Sequence, residues 1–145
     1  MPEIIVTKLS FVKGYNFKVE FDLKEIPPLL VDEGKPVGDG LGPNPVRLLS
    51  TAVGHCLSSS LLYCLRRSRV DVKNLETLVQ ASVGRNEEGR LRVKNIEVQL
   101  RLDVDEKDKA HLSRCLEIFE DYCTVTQSVM KGIDVKVSTA DMTRG

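Results

Sequence analysis

The 145-residue chain lacks several things that would assign it quickly. It has no charge excess, with 21 basic residues against 21 acidic ones, so it offers no basic face for nucleic acid or a membrane surface. Its N-terminus, MPEIIVTKLS, has neither the basic nor the apolar region of a signal peptide, and no run of apolar residues approaches a membrane span. The expectation is a cytoplasmic protein, where thiols are normally kept reduced. The four cysteines therefore predict no disulfide framework. They also lack the close C-x₂₋₄-C pairs of structural zinc, because Cys56 and Cys64, and Cys115 and Cys123, each stand eight apart. Neither His55 nor His111 repairs that pattern, so no metal or cofactor is expected. Gly38, Gly40 and Gly42 match no GxGxxG, and no GK[ST] follows, which excludes the common phosphate loops and leaves a mobile or hinge-like segment over residues 33–43. There is no internal repeat, and the length is that of one domain, residues 1–145.

What is present is a long uncharged helix. Asn44-Pro45 is a helix start, an N-cap residue followed by a proline at the first helical position. No charge follows between Arg47 and Arg66, while Arg66, Arg67 and Arg69 suit the negative end of the helix dipole. Leu49, Ala52/Val53, Cys56, Ser60 and Cys64 recur at helical spacing, with leucines on the adjacent faces. A helix this apolar belongs inside a protein or an assembly. Its small, serine-rich faces let a second copy approach closely, so a homodimer is expected.

Around it the chain reads as strands. Residues 3–12 predict a first strand. Tyr15, Phe17, Val19, Phe21 and Leu23 alternate with polar residues and predict a second with one buried face. Residues 29–32 predict a short third. After the central helix, residues 75–83 and 91–104 predict a hairpin about Asn86-Glu87-Glu88-Gly89, with a β-bulge near Lys94-Asn95 where the apolar set changes from odd to even positions. Asp105 is expected to cap a second helix with the stripe Leu112, Cys115, Leu116 and Phe119. A short helical turn ends at Gly132, Ile133, Val135 and Val137 predict a last strand, and the tail is expected to fray. The order is α+β, with antiparallel strands around a buried central helix.

Cys64 and Cys115 sit in helix stripes beside leucines and read as small buried hydrophobes. Cys56, mid-helix, has His55 as neighbour, but that ring points about 100° away. Cys123 precedes TVTQSVMKG at a helix start, which either lowers its pKa or makes it an ordinary helix-end cysteine. The residues alone leave that choice open.

The stretch LLVDEGKPVGDGLGPNPVRLLSTAVGHC, followed by YCTVTQSVMKGIDVKV, resembles the OsmC/Ohr family of osmotically induced and organic hydroperoxide resistance proteins. The resemblance implies the OsmC-like fold, an intertwined homodimer with two active sites, and a cytoplasmic antioxidant role in oxidative stress. It implies that Cys56 attacks the O–O bond of an organic hydroperoxide. Cys123 then resolves the sulfenic acid to a disulfide, and a dithiol reductant restores both. The family's arginine before the central helix and glutamate after its opening proline are missing: Val46 follows Pro45, and no arginine precedes Arg47. Lys35 and Arg47 are the remaining candidates for activating the thiolate, although Arg47 faces away from Cys56 within its own helix. A lysine supplies charge without a planar fork. The alternative is a protein of the same fold that binds a small apolar ligand without peroxide chemistry; a purely structural role comes third.

Overall fold

The computed structural model describes residues 2–144, with the side chain of Arg144 outside the description. The chain divides into two compact units, residues 1–52 with 78–99 and residues 53–77 with 100–145, and each is described by itself.

The first unit holds a three-stranded antiparallel sheet, β1 (Thr7–Lys13), β2 (Asn16–Phe21) and β3 (Leu29–Val31), with β2 in the middle. Gly14, at φ 53°, makes the tight turn between β1 and β2 that a residue with a Cβ would adopt at a cost. Phe11 pairs with Phe17 across the hairpin, ring edge to face at 5.8 Å. The predicted buried face of β2 is only partly realised. Val19 is buried and Phe17 half-buried, but Tyr15, Phe21 and Leu23 are exposed, while Asn16 on the opposite parity is 2% exposed. Asn16 lies beside Asp32, which follows β3.

Asp32 also corrects the expectation of a mobile loop. Its carboxylate accepts the backbone N–H groups of Glu33 (2.8 Å), Asp39 (3.2 Å) and Leu41 (3.1 Å). The segment behind it is cross-tied by Gly38 N–H to Gly34 C=O (2.9 Å) and Gly40 N–H to Glu33 C=O (3.1 Å). A Cβ on Gly38 would collide with the Glu33 carbonyl, so this glycine serves close backbone approach. Burial works to raise the Asp32 pKa. The three N–H groups and the nearby Asn16 amide outweigh it and hold the carboxyl below its ordinary range. Asn16 Nδ2 itself closes no hydrogen bond of good geometry.

Helix α1 (Pro45–Arg67) starts as predicted, with the Asn44 side chain accepting Arg47 N–H at 3.0 Å. Its buried stripe is Val53, Leu57, Leu61 and Leu65 with Gly54, one position round from the expected one, so Cys56, Ser60 and Cys64 lie half-buried beside the core stripe. Contrary to the sequence expectation, α1 is long and apolar enough to cross a membrane, with a mean hydropathy of 1.4 over its best window. Leucine, valine, alanine and cysteine carry that average, uncharged Ser and Gly lower it only slightly, and a core helix meets the same two criteria. The helix ends in a Schellman arrangement, Val70 N–H to Leu65 C=O (2.9 Å) and Arg69 N–H to Arg66 C=O (3.0 Å), with Arg69 at φ 58° in the place usually given to glycine.

Strands β4 (Val72–Arg85) and β5 (Leu91–Val104) form a two-stranded sheet whose turn is knotted by the Asn86 side chain, which accepts Glu88 and Arg90 N–H. On β5 the even set from Ile96 to Val104 is half-buried, and Leu91 and Val93 are exposed.

In the second unit a 3-10 turn at Glu106–Asp108 leads into α2 (Lys109–Ile118). Asp105 does not cap it through its side chain: the carboxylate pairs with Lys73 Nζ at 3.0 Å, a partner invisible to local sequence reading. Of the predicted stripe, Cys115 and Phe119 are buried, Leu112 half-buried and Leu116 exposed. A further 3-10 turn, Phe119–Tyr122, precedes α3 (Thr124–Lys131), which closes at Gly132 with φ 76° as expected. The predicted last strand is not formed among the described residues. Ile133, Val135 and Val137 have no strand to pair with and stand exposed, Val137 at 85%. The tail carries one 3-10 turn, Met142–Arg144; Gly145 lies outside the described residues.

Candidate active site

Two cysteines form a bridge that the sequence did not predict. Cys64 and Cys115, expected to be free hydrophobes, are joined as a disulfide with Cα atoms 5.8 Å apart. Cys64 lies beside the buried stripe of α1 and Cys115 is the buried residue of α2, and the fold brings the two into the bridging range. Separate readings of each helix cannot reveal that meeting.

The free thiols are Cys56 and Cys123, and the fold brings them together. Cys56 is half-buried on α1, whereas Cys123 is fully buried at the N-cap of α3. The Cys56 and Cys123 thiols are close enough for each to act on the other's ionisation. The α3 N-terminus addresses both. Val125 N–H points at Cys56 Sγ at 3.4 Å, and Cys123 Sγ lies 3.0 Å from the Thr126 hydroxyl.

The two thiols are pushed apart in acidity. Burial raises the Cys56 pKa, and the Cys123 sulfur adds to that by hydrogen bonding and by charge; the Val125 and Thr126 N–H groups pull down without prevailing. For Cys123, burial again works upward, but the Cys56 thiol, the Thr126 hydroxyl and N–H, and the Ser60 hydroxyl favour the thiolate and bring the pKa down. The two thiols therefore titrate as a pair, with the Cys56 proton held more firmly than that of Cys123.

Local sequence pattern assigns no site role to Val125, Thr126 or Ser60. Two of them had a signal: Ser60 is four residues after Cys56 on the same helix face, and Thr126 is three after Cys123, the spacing of a capping pair. Lys35 lies in the loop held by Asp32, one residue before Pro36, and Arg47 in the first turn of α1. Along the helix, nine residues put Arg47 about 13 Å from Cys56. The groups acting on Cys56 in this structure are Cys123, Val125 and Thr126.

A free dithiol set between a long central helix and the start of a short one, in an α+β chain with antiparallel sheets, defines a class of cysteine-pair proteins. The family described as OsmC-like protein matches residues 38–138, and the chain belongs to it. Among solved structures, an OsmC-like protein of unknown function from Vibrio cholerae superposes with a TM-score of 0.75 at 12% identity, over 88% of this chain and 94% of that one. An organic hydroperoxide resistance protein, a predicted redox protein, from Legionella pneumophila gives 0.62 at 16%, over 92% and 94%. A putative organic hydroperoxide resistance protein from Vibrio cholerae, with captopril in one of its active sites, gives 0.61 at 22%, over 92% and 90%. At these identities the likeness is one of fold. No curated protein sequence matches the chain significantly.

Proposed function

We propose that this chain is a cysteine-based, thiol-dependent reductase of organic hydroperoxides with a slow first step and a fast second one. The observation that carries the reading is the convergence of two free thiols, a half-buried Cys56 and a fully buried Cys123, on the N-terminus of α3, with acidities shifted in opposite directions. Access selects Cys56 for the peroxide. Its thiolate, the minor form, takes the distal oxygen, the O–O bond breaks, and the alcohol leaves with a proton. The Cys56 sulfenic acid then meets a sulfur already poised as thiolate, and Cys123 displaces hydroxide to form the Cys56–Cys123 disulfide. A dithiol reductant returns both to thiols by exchange. Lys35 and Arg47, the latter from a partner subunit, are the cations proposed to raise the thiolate fraction of Cys56.

The proposal extends to a cytoplasmic homodimer. Its support is the apolar surface left uncovered, including Ile4, Ile5 and Val6 near one end and Ile133, Val135 and Val137 near the other. The second reading is a small-ligand-binding protein of the same fold. Two observations favour it: Cys56 is held as a thiol, and no arginine precedes Arg47. Peroxide consumption with dihydrolipoamide or dithiothreitol as donor separates the two. The reductase reading expects turnover with cumene hydroperoxide that Cys56→Ser abolishes. Equal, background rates for wild type and variant would replace it with the binding reading.

A further inference from the structure

The second unit contains a cavity of about 880 Å³ whose lining includes both half-cystines of the Cys64–Cys115 bridge. The two half-cystines are unequally placed: the Cys64 residue is half-buried, whereas Cys115 is 1% exposed. Three groups able to carry positive charge line the same space. Arg67 lies one turn beyond Cys64 on α1, Arg114 is adjacent to Cys115, and His111 is one turn before it on α2. The Arg67 guanidinium rests 5.8 Å from the Tyr63 ring centroid, and none of the ion pairs among the described residues engages Arg67 or Arg114. A disulfide with one half-buried half-cystine, in a cavity lined also by two guanidiniums that form no ion pair among the described residues, is a landing site for a thiolate that carries a second negative charge.

We infer that this cavity is a thiol–disulfide exchange site for a small anionic thiol, separate from the Cys56–Cys123 pair. The incoming thiolate attacks Cys64 Sγ, on the less buried half-cystine. The Cys64–Cys115 bond breaks, Cys115 leaves as thiolate and takes a proton from water, and the small thiol remains on Cys64 as a mixed disulfide. A second thiolate attacks the small-molecule sulfur of that mixed disulfide, releasing Cys64 and the oxidised small thiol. Two small thiols supply the two electrons that reduce the protein bridge. The buried Cys115 is a reluctant leaving group, because burial disfavours its thiolate. Exchange with Cys56 is not required: eight helical residues put Cys56 about 12 Å along the α1 axis from Cys64.

The test uses the full chain carrying Cys56→Ser and Cys123→Ser, so only the bridge reacts and the peroxidase proposal plays no part. The oxidised protein is exposed to 3-mercaptopropionate, 2-mercaptoethanol or cysteamine, quenched with iodoacetamide and mapped by mass spectrometry, with rates expressed per thiolate. The expected result is a mixed disulfide on Cys64. The anionic thiol should react roughly tenfold faster than the cationic one, a preference that Arg67→Gln with Arg114→Gln, or 1 M salt on the protein with both arginines intact, erases. Adducts on Cys115, equal rates for the three thiols, a preference that survives both treatments, or two free thiols in the purified, unfolded double variant would overturn the proposal. The salt arm decides the matter if the arginine variant does not fold.

Discussion

Breaking the Cys64–Cys115 bridge should cost this protein a large share of its stability. The bridge spans 51 residues, from the C-terminal half of α1 through the β4–β5 hairpin to α2. In the chain-entropy account a loop of that length removes about 4 kcal/mol of freedom from the unfolded state at 25 °C, against a usual range of roughly 2–4. For a chain of this size each kcal/mol moves the melting midpoint by about 3 °C, so reduction should lower it by roughly 10 °C. The assay is thermal unfolding followed by circular dichroism, with and without a phosphine reductant, on the Cys56→Ser/Cys123→Ser variant. There the bridge is the only disulfide available. Thiol counting before and after confirms that two sulfhydryls appear. A midpoint unchanged by complete reduction would refute the reasoning, since the cross-link would then constrain nothing that folding has to order.

Further expectations rest on other parts of the chain. Leu61, fully buried on α1, should lose about 2–5 kcal/mol on Leu61→Ala in urea unfolding, and a loss under 1 kcal/mol would mean that its stripe is not core. Asp32 has a folded pKa below its unfolded value. Its contribution is therefore complete above about pH 4 and lost as pH falls through the lower folded value, and Asp32→Asn should flatten that acid limb of the stability curve. Thr126→Val removes a hydroxyl that favours the Cys123 thiolate, so the 240 nm thiolate titration should move to higher pH, and an unmoved curve would discard that contact as a cause. Lys35→Ala or Arg47→Ala should each slow Cys56 alkylation; unchanged rates in both would end their proposed role.

The parts of this architecture legible from the sequence were those governed by local chemistry. The Asn44-Pro45 start, the Gly132 stop and the Asn86–Gly89 turn each declare themselves within four residues, and the structure forms each of them. The parts that misled depend on distant partners. Asp105 looked like a cap because its neighbours are helical, yet Lys73 from the start of β4 claims its carboxylate. Residues 33–43 looked loose because glycine and proline fill them, but one buried carboxylate at Asp32 organises their N–H groups. Ile133, Val135 and Val137 alternate like a strand and have no neighbouring strand among the described residues. At the candidate site the sequence indicated Cys56 and Cys123 through family resemblance. Their inverted acidity was hidden, because it arises from Thr126, Val125 and Ser60 converging on two sulfurs 67 positions apart in sequence.

The most direct test of the central claim is to treat the reduced-pair protein with one equivalent of cumene hydroperoxide and map its disulfides by peptide mass spectrometry. The account predicts a new Cys56–Cys123 disulfide beside an intact Cys64–Cys115 bridge, with little sulfinic acid at Cys56 because a poised thiolate resolves the intermediate. Cys56 over-oxidised or untouched, with Cys123 still free, would contradict it.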